Sequence, residues 1–236
     1  MTRFDDIASV YDAQIPAHVR FHLLECKTTM MTAFLGHLDK AGAVGFDLGC
    51  GTGWHVQVLR EQGFRVLGID NSVAQLREAQ QRQLMNPTAC WCLGEIQHLP
   101  FGDASADFAF AINVIHHLGT REEQIDTVAE IHRVLKPDGL FFLHEVNTTN
   151  FVMATYMNHI FPKMRRIDNG LENWIVPGNL REWRGFEVVG LTYFTFVPDF
   201  TPRALFPLMR WLEKWLERSP LRCCGAHYMA VLRKTE

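Results

Sequence analysis

The 236-residue sequence has no run of about 18 apolar residues, the length that a membrane-crossing helix needs. Its first residues also lack the basic-then-apolar order of a secretion signal, so we expect a cytoplasmic protein. Internal repeats and low-complexity tracts are absent as well. Hydrophobic residues make up 47% and charged residues 21%, which excludes a fibrous or disordered class and predicts a single folded domain over residues 1–236.

The sequence also has no large excess of charge of one sign, because its 23 Lys and Arg residues nearly balance its 26 Asp and Glu residues. The net charge of −3 offers no broad basic field for phosphate groups, so we expect no nucleic-acid partner. A small molecule is the expected partner instead. The sequence leaves the choice between a monomer and a homodimer open.

CxxC motifs, the usual spacing of zinc sites and thiol redox centres, are absent although the chain has six cysteines. Cys90 and Cys92 alternate around Trp91 in a predicted strand, where small buried side chains are common, so we expect free thiols. The eleven histidines form no evident metal-binding pattern. HEV at residues 144–146 is not the HExxH zinc motif, and no metal site is predicted.

The chain does have a regular alternation of short apolar runs with longer amphipathic segments from residue 43 onwards. The apolar runs are GAVGFDLG, FRVLGID, ACWCLG, DFAFAIN and LFFLHEV, followed later by FEVVGLTYFTFV and AHYMAVLRK. Strands that alternate with helices indicate an α/β fold with a parallel sheet. We predict a Rossmann-like, doubly wound sheet of seven strands, mostly parallel, with an antiparallel C-terminal edge strand.

Three segments differ from this alternation. Residues 1–40 are predicted to form a helical cover, and residues 147–180 mix aromatic, methionine and basic residues without a clear period, which indicates an insertion or lid. Residues 202–218 have the apolar spacing of an amphipathic helix. That helix either packs on the sheet or forms an acceptor wall or an interfacial membrane face, since tryptophans and basic residues together suit a headgroup boundary.

The glycine loop FDLGCGTGWH at residues 46–55 follows the first strand, where doubly wound sheets bind nucleotides. A dinucleotide fingerprint is GxGxxG, but Trp54 stands where its third glycine would fall. Asp47 would repel a pyrophosphate, whereas it would attract the ammonium group of a methionine moiety. Asp70 ends the second strand, where an acid accepts hydrogen bonds from the ribose of either nucleotide. The loop therefore favours S-adenosylmethionine over a nicotinamide dinucleotide.

Four stretches in order along the chain resemble the successive motifs of class I S-adenosylmethionine-dependent methyltransferases. They are FDLGCGTG, VLGIDNS, GEIQHLPFGDASADFAFAINVIHHL and EIHRVLKPDGLFFLHEV. The resemblance covers about residues 4–146, and within the superfamily it is to the small-molecule group that includes the quinone-biosynthesis methyltransferases. It implies methyl transfer from S-adenosylmethionine, which leaves S-adenosylhomocysteine, to O, N or C of a small, partly apolar acceptor.

Two other functions remain as alternatives to this reading. One is an NAD(P)-dependent oxidoreductase, which the glycine spacing disfavours. The other is a non-catalytic module that binds a nucleotide on the same fold.

The resemblance also implies which residues bind the cofactor. Asp70 would hold the ribose, while Glu95 and Ile96 would contact the adenine. Asn113 would face the sulfur end, and Tyr11 would close over the cofactor from a segment similar to the family's N-terminal helix. The cofactor-binding set is then Tyr11, Asp47, Gly49, Gly51, Gly53, Asp70, Asn71, Glu95, Ile96 and Asn113.

Two adjacent histidines are the predicted catalytic residues. Methyl transfer from a sulfonium donor needs alignment, exclusion of water and, for some acceptors, removal of a proton. His116 and His117 follow the fourth strand at the same sheet edge as the glycine loop, and a neutral imidazole suits proton removal near neutral pH. The alternative is that this pair only shapes the loop.

The acceptor pocket is expected between the segment around Tyr11 and residues 147–180. Apolar and aromatic side chains suited to its wall are Phe151, Met153, Tyr156, Met157, Phe161, Met164 and Trp174. The basic residues expected to meet an acidic group on the acceptor are Lys163, Arg165 and Arg166. Alternatively, residues 147–180 are a pair of helices that only packs on the sheet.

Overall fold

The computed structural model describes residues 3–82, 90–165, 167–168 and 172–235, and seven strands of this part form one sheet. The strands are β1 Val44–Leu48, β2 Arg65–Asp70, β3 Cys90–Leu93, β4 Ala106–Ile112, β5 Leu135–Val146, β6 Phe186–Phe194 and β7 His227–Lys234. Their order is β3-β2-β1-β4-β5-β7-β6. Neighbours are parallel except that β7 runs antiparallel to β5 and β6. The predicted seven-stranded, mostly parallel sheet is confirmed, and its antiparallel C-terminal strand lies one place inside the edge strand β6.

Helices cover both faces of this sheet. The longer ones that alternate with the strands are α2 Ala17–Leu35, α3 Trp54–Glu61, α4 Val73–Arg82 and α5 Arg121–Val134. The α3 helix starts directly after the glycine loop. The first turn of α5 is capped because the Thr120 hydroxyl accepts a hydrogen bond from the Glu123 N–H at 3.1 Å.

The core consists of two apolar layers, one on each face of the sheet. Central strands that are covered on both sides read as continuous apolar runs, and in β4 and β5 the side chains of Phe108, Phe110, Phe141 and Phe142 are fully buried. Phe141 packs with residues of α5, whereas the other three phenylalanines pack with residues of α2 and α3. The carboxyl ends of β1, β2, β4 and β5 therefore meet at one edge of a rigid sheet.

The predicted cover at residues 1–40 contains a 3-10 helix at Arg3–Asp6, the short helix α1 Ala8–Tyr11, a 3-10 turn at Asp12–Gln14, and α2. Residues 147–180 contain α6 Phe151–Thr155, a π-helical turn at Tyr156–Ile160 and α7 Phe161–Met164, and a 3-10 helix follows at Pro177–Glu182.

The predicted helix at residues 202–218 is α8 Phe206–Glu217, between β6 and β7. Within the described ranges, no helix combines the length and apolar character needed to cross a membrane.

Candidate functional site

The glycine loop between β1 and α3 has a backbone that side chains rarely adopt. Gly49, Gly51 and Gly53 have φ angles of 72°, 51° and 79°. A Cβ atom on Gly49 would lie 2.6 Å from Val114, and one on Gly53 would lie 2.4 Å from the Trp91 ring. On Gly51 the Cβ would meet only Gln75 Oε1, at 3.9 Å. Packing therefore requires the first and third glycines, while Gly51 borders open space.

Asp70 ties the end of β2 to the glycine loop. Its Oδ2 accepts a hydrogen bond from the Gly51 N–H at 2.8 Å, and its Oδ1 accepts one from the Ser72 N–H at 2.8 Å. Burial raises the pKa of the Asp70 carboxyl, and these backbone hydrogen bonds oppose the rise. An ionised carboxylate has about four lone-pair sites, so Asp70 can accept further hydrogen bonds from a ligand.

Two aspartates of the N-terminal segment fasten it over the loop. Asp12 accepts hydrogen bonds from the Thr52 hydroxyl at 3.0 Å and from Trp54 Nε1 at 2.9 Å. Asp5 accepts one from the Ser72 hydroxyl at 2.6 Å. The α1 helix, which ends at Tyr11, lies between these two attachment points in the sequence. Sequence reasoning did not single out either aspartate, because an acidic residue in a short helix carries no distinctive pattern.

A cavity of about 580 Å³ opens at the glycine loop, and we call it the nucleotide cavity. The residues predicted for the cofactor that line it are Tyr11, Gly49, Gly51, Asp70, Asn71, Glu95, Ile96 and Asn113. Within it the Asn71 amide donates a hydrogen bond to the Glu95 carboxylate at 3.1 Å. Gln75 also lines this cavity, and its buried Oε1 has no hydrogen-bond partner in the described part of the chain. The predicted residue Gly53 is not part of the lining.

A second cavity of about 680 Å³ lies beside the first, and we call it the apolar cavity. Its walls come from α2, from residues 150–161 and 167–168 and from residues 195–200, and its volume is in the range of small-molecule sites. Of the predicted wall residues, Phe151, Met153, Tyr156, Met157 and Phe161 line it. Met164 is exposed, and Trp174 packs against the His116 ring, with a centroid distance of 4.6 Å.

The structure does not place the basic residues predicted to meet the acceptor, Lys163, Arg165 and Arg166, together in the apolar cavity. Arg165 Nε lies 3.8 Å from Asp199 Oδ2, so this guanidinium faces a carboxylate of the protein. Lys163 is not among the residues that line the apolar cavity, and Arg166 lies outside the described residues. Asp47 also differs from its expected place, since its buried side chain lines the apolar cavity, where burial raises the pKa of its carboxyl.

The two cavities share one set of lining residues. These are Tyr11, Gly49, Gly51, Ile112, Asn113, His116 and His117. Asn113 has a positive φ of 56°, a conformation that asparagine tolerates better than most side chains. Its buried Oδ1 has no hydrogen-bond partner in the described part of the chain. The loop after β4 therefore forms a junction between a polar and an apolar compartment.

The two histidines at the junction have different surroundings. His116 is buried, and its Nδ1 forms a hydrogen bond of 2.5 Å with Oε2 of the fully buried Glu145, at the end of β5. Burial lowers the pKa of His116 to about 3 and raises that of Glu145. His117 is partly exposed, and its Nε2 lies 3.7 Å from Asp168 Oδ1. With Nδ1 bonded to Glu145, the ring nitrogen of His116 that can act on a ligand is Nε2.

The fold gathers a potential metal-binding group that the sequence did not reveal. Donor atoms of His116, His117 and Asp168 all lie within 4.8 Å of one another, and this is the one such group found in the described ranges. About fifty residues of chain separate Asp168 from the histidines, which is why the spacing of the motifs gave no sign of it.

Polar side chains that are buried or half-buried form the inner end of the apolar cavity. Lys27, His55 and His227 line it, and fully buried His144 stacks on His227 with a centroid distance of 5.0 Å. Burial lowers the pKa of Lys27 to about 8 and that of His55 and His227 to about 3. His55 Nε2, both ring nitrogens of His144 and His227 Nδ1 have no hydrogen-bond partner in the described part of the chain. The cavity is thus polar at its inner end, a property that three distant sequence positions create together with His144 behind them.

Comparison with known proteins identifies the central part of the chain. Residues 46–143 match the family model described as a methyltransferase domain. The chain is 28% identical over 137 residues to the sterol 24-C-methyltransferase erg6 of Schizosaccharomyces pombe, which is 56% of this chain and 34% of that protein. It is 34% identical over 94 residues to the malonyl-[acyl-carrier protein] O-methyltransferase of Serratia marcescens, which is 40% of this chain and 34% of that protein. The chain thus spans about a third of the length of these relatives.

Solved structures match the fold over nearly the whole chain. One is the putative methyltransferase in complex with the Trm112 methyltransferase activator of Haloferax volcanii, with a TM-score of 0.69, 22% identity and coverage of 99% of this chain and 96% of that one. Another, from Thermotoga maritima, is titled a SAM-dependent methyltransferase, possible histamine N-methyltransferase, with a TM-score of 0.65, 16% identity and 99% coverage of both chains. The narrower resemblance to quinone-biosynthesis enzymes stays a prediction. Residues 46–143 of the chain thus match a methyltransferase domain, and the whole chain shares its fold with these solved structures.

Proposed function

We propose that this protein transfers a methyl group from S-adenosylmethionine to O, N or C of a small, partly apolar acceptor. The observation that carries this proposal is the junction at which the nucleotide cavity and the apolar cavity share Tyr11, Asn113, His116 and His117. Group transfer needs two ligands to meet at one point, whereas a nucleotide-binding module needs only the first cavity.

The chemistry of the nucleotide cavity fits the cofactor. Asp70 has acceptor capacity for ribose hydroxyls, and the exposed carboxylate of Glu95 can accept a hydrogen bond from an adenine amino group. Gln75 and Asn113 each offer a buried oxygen without a partner in the described part of the chain. Such oxygens suit an amino group, because leaving them unpaired costs free energy.

When bound, the cofactor supplies a methyl group already activated by a positively charged sulfur, so the protein's own task is positioning. In this proposal Tyr11 covers the junction and the apolar cavity keeps water from it. His116 or His117 takes a proton from the acceptor where one must leave, at Nε2 in the case of His116. Glu145 acts as a positioning residue because its hydrogen bond fixes the orientation of the His116 ring.

Further parts of the proposal concern the partners and the location of the protein. We infer a cytoplasmic protein, monomeric or homodimeric, whose partner is the small acceptor, without a nucleic-acid partner. The proposal also includes an interfacial membrane contact at residues 202–218. An oxidoreductase and a non-catalytic binding module remain the competing functions, and cofactor titration and turnover respectively separate them from methyl transfer.

A screen with methyl-labelled S-adenosylmethionine tests the function. Purified protein is incubated with pools of amphipathic phenols, amines and acids, and both label transfer and S-adenosylhomocysteine are measured. We expect stoichiometric appearance of the two products with at least one pool and none with a His116→Ala/His117→Ala variant. Tight cofactor binding without turnover across the pools and a cell extract would favour the binding module.

A further inference from the structure

The helix α8 packs Phe206 and Met209 against the protein, yet it also carries a stripe of apolar side chains on its exposed side. Glu213 is buried, and its carboxylate accepts a hydrogen bond from the Phe196 N–H at 2.9 Å and pairs with His22 Nε2 at 2.6 Å. The apolar residues Leu208, Trp211 and Trp215, three and four positions apart, are instead 54%, 65% and 62% exposed. A surface helix normally buries its apolar side. This outward stripe, which Leu205 extends by one turn, marks an interaction surface.

The segments on either side of α8 reach the opening of the apolar cavity. Phe200 precedes α8 and Cys224 follows it, and both line that cavity. The Asn150 side chain donates a hydrogen bond to the Cys224 carbonyl at 2.8 Å, which brings the start of α6 to this rim. At the rim Phe151, Val152 and Phe200 are 81%, 71% and 52% exposed although they also line the cavity. We call Leu205, Leu208, Trp211, Trp215 and these three rim residues the apolar face.

The exposed charges of α8 and the segments directly flanking it are basic, although Glu25 of α2 lies 3.8 Å from Arg210. Every charged side chain that is exposed between residues 202 and 224 is basic, namely Arg203, Lys214, Arg218 and Arg222. The two acids in this range are occupied within the fold, since Glu213 is buried and Glu217 accepts a hydrogen bond from the Thr195 N–H at 3.1 Å. Exposed Trp and Leu with Lys and Arg beside them is the composition of a helix that lies in the headgroup region of a bilayer. Basic residues at that depth are attracted to anionic lipids.

We propose that the apolar face docks on the surface of an anionic lipid bilayer, and that the acceptor enters the apolar cavity from this bilayer with its polar end first. The cavity is apolar at the exposed rim and polar at the inner end, where Lys27 and His227 lie. This order matches an amphipathic molecule that leaves its apolar part near the membrane. The route of the acceptor rests on the proposed function, whereas the docking surface does not.

Co-sedimentation with lipid vesicles tests the docking directly. The full chain is mixed with phosphatidylcholine vesicles, with or without phosphatidylglycerol, and S-adenosylhomocysteine binding of each variant is measured by calorimetry as a check on folding. We expect binding to be about tenfold stronger with the anionic lipid and to weaken with salt. Trp211→Ser/Trp215→Ser should lose binding to both vesicle types, and Lys214→Glu/Arg218→Glu only the preference for the anionic lipid. The matched control Ile125→Ser/Val188→Ser, at exposed apolar residues of α5 and β6, should bind like the unchanged protein.

The outcomes separate docking from its competitors. Equal sedimentation of the unchanged chain and the tryptophan variant, or no binding to anionic vesicles, overturns the proposal. A concentration-dependent dimer in lipid-free buffer that the tryptophan variant abolishes, without vesicle binding, assigns the apolar face to a second copy of the chain. Vesicle binding without any S-adenosylhomocysteine binding would leave docking in place and contradict the proposed function instead.

Discussion

Oε2 of Glu145, at the end of β5, lies 2.5 Å from Nδ1 of His116 after β4, in a fully buried pair at the junction of the two cavities. A buried carboxyl and imidazole in contact hold each other in one geometry, and breaking such a pair leaves an unpaired polar group. The contact therefore links the neighbouring strand to the orientation of the predicted catalytic ring.

The His pair should matter for turnover more than for cofactor binding. His116→Ala should lower kcat by about 10² to 10⁴, the usual contribution of a general base, while the affinity for S-adenosylhomocysteine stays within a few-fold. Glu145→Gln should lower kcat less and change its pH profile, because the amide still fills the space beside the His116 ring but has no proton to titrate. Acceptor kinetics and calorimetry measure both effects. Full activity in both single histidine variants and in the double variant would assign the pair to loop structure.

Asp70→Ala should weaken cofactor binding by roughly 1.5 to 3 kcal/mol, the range for hydrogen bonds to a charged acceptor. The same change removes the acceptors for the Gly51 and Ser72 N–H groups, so the unfolding free energy should fall as well. Titration calorimetry combined with urea unfolding separates the two effects. The control Asp126→Ala removes an exposed acid on α5. A folded Asp70→Ala protein with unchanged affinity would mean that the ribose binds elsewhere.

The wall of the apolar cavity should control the acceptor and not the cofactor. Tyr156→Ala removes a wall side chain and the hydrogen bond that its hydroxyl donates to Asp199 at 2.7 Å, and Met157→Ala removes a buried wall side chain. Each should raise the acceptor KM or lower kcat with cofactor affinity within a few-fold. Met164→Ala is the matched control, because Met164 is exposed and outside the cavity lining. Equal kinetics in all three variants would move the acceptor site away from this wall.

Amide hydrogen exchange tests independently whether the segment that forms this wall acts as a lid. If residues 147–180 close over the ligands, their amides should become protected when S-adenosylhomocysteine and acceptor are both bound. Protection confined to the glycine loop would contradict a lid role for this segment.

The buried histidines should make the fold sensitive to acid. Burial, with help from nearby Lys27, holds the pKa of His144 well below its usual value of about 6.5. Below that value the unfolded chain binds a proton that folded His144 does not, so stability falls as the pH falls. Asp47 and Glu145 act in the opposite direction, because burial raises their pKa values. The pH dependence of the unfolding free energy therefore combines several groups. A comparison between the unchanged chain and a histidine variant isolates the contribution of His144.

His144→Leu should lose less stability than the unchanged chain between about pH 6.5 and pH 4, by up to about 1.4 kcal/mol per pH unit. Urea unfolding at a series of pH values measures this difference. His98→Leu, at an exposed histidine, serves as the matched control. Parallel stability curves for the unchanged chain and His144→Leu would show that folded His144 is protonated.

Local patterns predicted much of the fold because strand and loop signals are encoded in neighbouring residues. The glycine loop and Asp70 follow apolar strands, so the topology of a doubly wound sheet brings them to one edge. The sequence also placed Phe151 and Tyr156 in a candidate wall. These inferences needed only the order of the elements and the chemistry of single residues.

Other features arise only from packing between distant elements. Glu145 meets His116 because β4 and β5 are neighbours in the sheet, and Asp168 joins the histidines through an irregular segment. A side chain at position 53 would clash with the Trp91 ring, which is far away in the sequence. The buried position of Glu213, which meets His22, and the exposure of Trp211 and Trp215 on α8 were also unexpected. Periodicity gives the angle between residues on a helix but not which side faces the core.

Titration calorimetry of the purified chain with S-adenosylhomocysteine and with NADH distinguishes a methyltransferase cofactor site from a dinucleotide site. We expect saturable one-site binding of S-adenosylhomocysteine, weakened in Asp70→Ala, and no measurable heat from NADH. Tight binding of NADH without a response to S-adenosylhomocysteine would contradict this expectation.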